Sequence, residues 1–208
     1  MKASGRLGLT ILILAATAAR PLVAFDYPLS SEAIREAYFL GAGDAGKRAE
    51  FFGKYTKQLP IPKSGQYVGM IEFETPYVVI AERISQNVSN YFAQDAEEEY
   101  LGKPAICRVR VQVYYGNYGS LEAPTPVPTT RFRTDYTVRL KQQDKEISSK
   151  TRWSEALYSF GSAPVDIGVE IDAEYDAEKI DSSEPATVEV LAPDGQEILQ
   201  TFDLASLR

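Results

Sequence analysis

The strongest constraint on the fold is the alternation of apolar and polar residues in the second half of the chain. Between Asp166 and Glu178, apolar residues stand at almost every second position, with mainly acidic ones between them. Successive side chains of a β-strand point to opposite faces, so this pattern is typical of a strand with one face on a hydrophobic core. Residues 105–115 and 131–141 follow the same pattern. The alternation favours antiparallel sheets over a parallel α/β fold.

Turn residues separate many of these segments. Pro193-Asp194-Gly195 suits a type I turn with a bulge between strands at 187–191 and 197–202, and Gln143-Asp144 fits another turn. Further β-like segments are 67–74, 77–84 and 147–160. Together these segments predict about eight strands. We therefore expect a mainly β fold, an antiparallel β-sandwich of which the immunoglobulin-like arrangement is one form.

Helices are predicted before the first strand. Ser30 or Ser31 can cap one helix and Asp44 a second, with Gly41-Ala42-Gly43 between them. The apolar residues of the second helix fall at helical spacing: Ala45, Ala49, Phe52, Tyr55 and Leu59. We expect a helical hairpin over residues 30–59 that packs as a cap on the sandwich. A short acidic helix is also predicted at 94–101.

The first 24 residues have the features of an export signal. Lys2 and Arg6 form a short basic start, residues 7–19 are uncharged and mostly apolar, and Ala16-Thr17-Ala18 supplies a small-residue cleavage pattern. The apolar run of about 13 residues is shorter than the roughly 20 that span a bilayer. We therefore expect cleavage after that pattern or near Ala24. The mature protein is expected to be periplasmic or extracellular, in a bacterium, without a transmembrane segment.

The mature chain, residues 25–208, is expected to form a single β-rich domain, because its length suits one domain. The proline-rich stretch at 116–130 is the candidate boundary if there are two. It contains Pro124, Pro126 and Pro128, which favour an extended conformation. A long crossover within one sandwich fits the same composition.

Composition excludes several chemistries. The chain has no histidine and one cysteine, which excludes a Ser-His-Asp triad, a histidine-based zinc site and an intrachain disulfide. The net charge of −7 argues against nucleic acid as a partner. Cys107 alternates with valines, so we expect a buried, inert thiol. No catalytic residue is assigned, and the balance leans against an enzyme.

The acidic face of the strand at 166–178 is the first candidate site. Its outward-facing members are Asp166, Glu170, Asp172, Glu174 and Asp176. Such a row is a candidate for calcium or for a basic partner, although no calcium-binding loop pre-organises it. The competing interpretation is that this acidic face is solvated, or that it pairs with basic strands of the same chain. The basic residues that share strand faces are Arg108 and Arg110 in one segment, and Arg131, Arg133, Arg139 and Lys141 in another.

The second candidate site is aromatic. Tyr114, Asn117 and Tyr118 lie in or beside a glycine-containing loop, where tyrosines can contact a sugar or a protein. Tyrosine is also a common strand residue, and the competing interpretation is that these tyrosines are ordinary residues of the sheet.

These features together predict an exported, non-enzymatic β-rich binding or structural module of the cell envelope or periplasm, with a protein or glycan partner. Two alternatives stay open. One is a secreted hydrolase that uses a carboxylate pair. The other is an envelope protein stabilised by calcium.

Overall fold

The computed structural model describes residues 27–86, 91–116, 135–159 and 165–207. The predicted export signal at 1–24 and all but the first residue of the 116–130 stretch lie outside these ranges, as do Arg131 and Arg133.

The described residues contain four α-helices and nine strands. In chain order they are α1 (Ser31–Ala42), α2 (Ala45–Gly53), β1 (Thr56–Gln58), β2 (Tyr67–Glu74), α3 (Pro76–Gln86), α4 (Ala93–Leu101), β3 (Ile106–Tyr114), β4 (Thr137–Gln142), β5 (Lys145–Ile147), β6 (Thr151–Ser159), β7 (Val165–Asp176), β8 (Ala186–Leu191) and β9 (Glu197–Phe202). Single 3-10 turns follow β7 and β9. None of the helices in the described ranges is long and apolar enough to cross a membrane.

The strands form two antiparallel sheets. Sheet A has the order β1-β2-β3-β7-β6, and sheet B has the order β5-β4-β8-β9. The predicted class, a mainly β fold of antiparallel sheets with helices beside them, is confirmed. The immunoglobulin-like form of the sandwich stays a prediction.

The core lies between the two sheets. In β3 every second residue is buried, as the alternation predicted. The residues on that face of β3 are Cys107, Val109, Val111 and Val113. They join Ile171 and Tyr175 of β7 and Leu140 and Val188 of sheet B in one buried cluster. Burial of this apolar area drives the sheets together at about 25 cal/mol per Å².

The helices form a third layer on the other face of sheet A. α1, α3 and α4 share a second apolar cluster that includes Ile34, Ala81 and Ala96. α1 and α3 pack closely at Gly41, where an added Cβ would lie 2.3 Å from the carbonyl oxygen of Ala81. Sheet A is therefore covered on both faces, by sheet B and by α3.

Two local predictions were wrong. Residues 77–84, predicted as a strand, lie in helix α3. Thr75 begins it, with Oγ1 accepting from the Val78 N–H at 3.5 Å, and Pro76 occupies a first-turn position that needs no N–H donor. The buried residues of α3 fall at helical spacing: Tyr77, Val78, Ala81 and Ile84. Packing against α1 therefore overrides the strand preference of the β-branched residues.

The second error concerns the end of the predicted helical cap at 30–59. α2 ends at Gly53, and Thr56–Gln58 forms strand β1 at the edge of sheet A. Tyr55 falls at helical spacing in the sequence, but its ring is buried against the sheet core. The apolar residues of the sequence therefore keep their helical spacing beyond Gly53, where α2 ends and the chain leads into β1.

Candidate functional site

The acidic strand lies beside a basic one. β7 pairs with β3, and the register sets Asp172 opposite Arg110 and Glu174 opposite Arg108. On the other side of β3, β2 sets Glu72 opposite Arg110 and Glu74 opposite Arg108. At Glu170 and Asp172 the structure contains the paired form of the competing interpretation, because both acids contact Arg110 of the same molecule.

These residues form an arginine cluster that consists of Arg108, Arg110, Glu72, Glu74, Glu82, Glu170 and Asp172. Arg110 is its centre. Its Nη1 lies 2.7 Å from Glu82 Oε1 and 3.1 Å from Glu74 Oε1, and its Nε lies 3.2 Å from Asp172 Oδ1. Arg108 contacts Glu74 and Glu82, each at 3.3 Å.

Helix α3 covers the cluster on the face of sheet A that points away from sheet B. It carries Glu82, whose carboxylate bonds to both guanidinium groups. Asp172 is only 3% exposed and Glu74 only 1%. Of the two forms of the competing interpretation, a solvated face and a paired one, Asp172 takes the paired form and is buried. Alternation in the sequence places a residue on a face but does not show what covers that face.

The cluster holds more acids than bases, with five carboxyl groups around two guanidinium groups. Burial raises the pKa of Glu74 to about 8, and the Glu82 carboxylate adds to this, while Arg108 and Arg110 oppose it. Burial also raises the pKa of Glu72 to about 7 and that of Asp172 to about 6, against the opposing effect of Arg110. The folded protein therefore holds protons here at neutral pH.

A carboxyl group with a raised pKa is what a general acid of a hydrolase needs. At Glu74, however, one carboxyl oxygen faces Arg108 and the other faces Arg110. With 1% of the residue exposed, this carboxyl offers no surface to a substrate. Both of its oxygens lie against arginines of the buried cluster and not in an open cleft.

The predicted acidic row does not converge on a single point. Glu170 and Asp172 contact Arg110. Asp166 and Asp176 instead accept backbone N–H groups two residues ahead of them, at 3.4 and 3.3 Å. Within the described ranges, no group of three or more acidic or cysteine side chains is arranged to hold a metal ion.

The aromatic candidate is partly described. Tyr114 is half-buried, and its ring stacks on that of Tyr67 with centroids 5.4 Å apart and an interplanar angle of 23°. Its hydroxyl donates to Gln112 Oε1 at 2.9 Å. Asn117 and Tyr118 lie outside the described residues.

Gly69 is the reason why Tyr114 can lie against β2. The β2–β3 register shifts between Val68 and Met70, which marks a bulge at Gly69. An added Cβ there would lie 2.6 Å from the Tyr114 ring. The two stacked tyrosines are therefore held in place by the backbone as well as by each other.

Tyr67 also lines a groove of about 640 Å³ at one end of the sandwich. The groove lies between the segment at 59–68 and the hairpin that joins β8 to β9. Its polar and aromatic lining includes Gln66, Tyr67, Tyr136, Asp194 and Gln196. Gly65 and Gly195 shape the two walls with φ angles of +89° and +87°. Sequence reasoning missed the groove because its walls come from distant segments.

Comparison of the chain with protein-family models, with curated proteins and with solved structures found no match.

Proposed function

We propose that this protein is an exported, non-catalytic module that binds carbohydrate in the groove beside Tyr67. The observation that carries the proposal is Tyr67 in the groove lining, with its ring fixed by stacking on Tyr114. A sugar ring has an apolar C–H face and a rim of hydroxyl groups. A tyrosine ring held in one orientation offers an apolar surface with a polar end, which suits that face.

The other groove residues suit the hydroxyl rim. Gln66 and Gln196 each carry a donor and an acceptor, and Asp194 carries acceptors. The Tyr136 hydroxyl lies 3.4 Å from Gln66 Oε1, an arrangement that directs the Gln66 amide. A pre-ordered site loses less side-chain freedom on binding, which favours affinity.

The binding test uses the mature chain and a panel of cello-, xylo- and chito-oligosaccharides, followed by calorimetry and by amide shifts in NMR spectra. At least one oligosaccharide should shift the amides of residues 64–68 and 194–196. Tyr67→Ala should weaken its binding by about tenfold, which corresponds to about 1.4 kcal/mol. Tyr158→Ala is the matched control, because Tyr158 is 53% exposed on β6 and does not line the groove.

Absence of binding by every member of the panel would overturn the proposal, as would equal affinity of the Tyr67→Ala variant. Release of reducing ends from the bound oligosaccharide would contradict the non-catalytic role and favour the carboxylate-dependent hydrolase. If a peptide library shifts the amides of the groove and sugars do not, the result would indicate a protein partner instead of carbohydrate.

Export has its own test. The basic start, the apolar run and the small-residue pattern of residues 1–24 support it. Expression in a bacterium should yield a periplasmic or secreted protein whose first residue, read by mass spectrometry, follows Ala18 or Ala24. Leu12→Arg should keep the chain uncleaved in the cytoplasm. Equal cleavage of that variant, or an uncleaved membrane-bound wild type, would refute the signal.

A further inference from the structure

A small apolar pocket lies between α3, α4 and the start of β3. Its volume is about 130 Å³. The inner wall consists of apolar residues: Pro76, Val79, Ile80, Ala96, Ala105 and Ile106. A dry apolar cavity of about 150 Å³ accommodates one benzene ring. The pocket therefore has room for a single ring or a short branched chain.

The mouth of the pocket carries more positively than negatively charged side chains. Arg83 and Lys103 line it together with one acid, Glu99. Arg83 Nη1 lies 2.6 Å from Glu99 Oε1, and Lys103 Nζ contacts the same oxygen. Two cations thus share one carboxylate oxygen, and the described lining has a charge of +1 when all three groups are ionised.

The Glu99 carboxylate is fixed in this position. The Tyr91 hydroxyl, at the pocket wall, donates to its other oxygen, Oε2, at 2.7 Å. Burial works to raise the pKa of Glu99, but hydrogen bonds from Lys103 and Tyr91 outweigh it and hold that pKa below its ordinary value. Glu99 therefore stays ionised at neutral pH and orders the two cations around the entrance.

We infer that this pocket binds a small monocarboxylic acid with a single aromatic ring or a short branched chain. The apolar group would enter the pocket, and its carboxylate would approach Arg83 and Lys103 from the solvent side, where each cation is more than half exposed and Glu99 does not lie between them. Charge-assisted hydrogen bonds to a carboxylate are about twice as strong as neutral ones. The cations of the mouth thus select an acid over a neutral molecule of the same shape.

This site is independent of the proposed carbohydrate groove, with which it shares no lining residue. Either proposal can fail while the other holds.

The experiment titrates the mature chain with benzoate, phenylacetate and 3-methylbutanoate, and with benzyl alcohol as the neutral probe. At least one acid should shift the amides of residues 79–83 and 99–106 in NMR spectra and bind about tenfold more tightly than benzyl alcohol, a difference of about 1.4 kcal/mol. Lys103→Gln should remove most of this preference. Lys54→Gln is the matched control, since Lys54 is an exposed lysine at the end of α2.

A second variant tests the apolar part of the site. Val79→Phe should fill the pocket and abolish binding of every probe, while an unchanged amide spectrum of sheet B shows that the chain is folded. Absence of pocket shifts with all three acids, equal binding of benzyl alcohol, or an acid preference that survives Lys103→Gln would overturn the inference.

Discussion

The guanidinium Nε of Arg110 lies 3.2 Å from Oδ1 of Asp172, the residue directly opposite it in the β3–β7 ladder. The same guanidinium contacts acids from β2 and α3. Arg110 therefore links two neighbouring strands of sheet A and the helix that covers them. Because removing one partner of a buried ion pair leaves the other charge uncompensated, this residue should be important for stability.

We expect Arg110→Met to lower the free energy of unfolding by about 3 kcal/mol or more. Urea unfolding followed by circular dichroism measures the change. The matched control is Arg139→Met on the outer face of sheet B, where Arg139 lies 3.5 Å from Glu189 and its side chain is 41% exposed. Glu189 is buried but keeps Lys141 as a second cationic partner after this change, and Arg139 itself is partly solvated, so we expect a loss of about 1 kcal/mol or less. Equal losses in the two variants would contradict the special role of Arg110.

The pH dependence of stability should have an unusual sign. The pKa values of Glu72 and Glu74 rise from 4.5 to about 7 and about 8 on folding, and that of Asp172 rises from 3.8 to about 6. The folded state thus holds protons that the unfolded chain has released. This contribution to stability is complete below the unfolded pKa values and is lost as pH rises towards 8.

Urea unfolding at pH 5, 6, 7 and 8 should therefore give a falling free energy of unfolding, by up to about 1.4 kcal/mol per pH unit for each group that titrates. The chain has no histidine, so no imidazole contributes in this range. Glu74→Gln should flatten the slope, while Glu155→Gln, at an exposed position of β6, should leave it unchanged. A stability that rises over this range would refute the assignment.

Alternation along β3 and β7 was sufficient to predict which residues face the core, because a period of two is a property of the strand itself. It did not show that α3 covers the opposite face. That cover depends on Tyr77 and Val78, whose strand preference is overridden by contacts made elsewhere in the chain. The local signals for α3 were Thr75-Pro76, a cap followed by a proline in the first turn, and the helical spacing of Tyr77, Ala81 and Ile84.

The candidate sites were predictable to different degrees. Arg108 and Arg110 were named as possible partners of the acidic strand because same-face residues are readable from spacing. The groove at Tyr67 was not predictable, because Gln66, Tyr136 and Asp194 come together only through the packing of the two sheets. Tyr114 was named as a candidate contact residue, and in the structure its ring stacks on Tyr67, which lines the groove.

Gly168 of β7 should not tolerate a side chain. An added Cβ would lie 2.2 Å from the carbonyl oxygen of Val113 on the neighbouring strand, so Gly168→Ala must displace backbone. We expect a loss of about 1–3 kcal/mol in the free energy of unfolding. Gly53 provides the contrast, because it lies at the end of α2 with no atom within 4 Å of an added Cβ. Gly53→Ala should stabilise by about 0.5–1 kcal/mol, and a neutral Gly168→Ala would disprove the close contact of β3 and β7.

The thiol of Cys107 should be unreactive in the folded protein. It is fully buried between the sheets, and this burial raises its pKa well above the ordinary value. Since the thiolate is the reactive form, a thiol reagent at pH 8 should add no label to the native chain and one label after unfolding in urea. Thr151→Cys supplies an exposed thiol at the start of β6, so this variant should take one label when native and two when unfolded, as counted by mass spectrometry. Labelling of Cys107 in the native wild type would mean that this face of β3 opens to solvent.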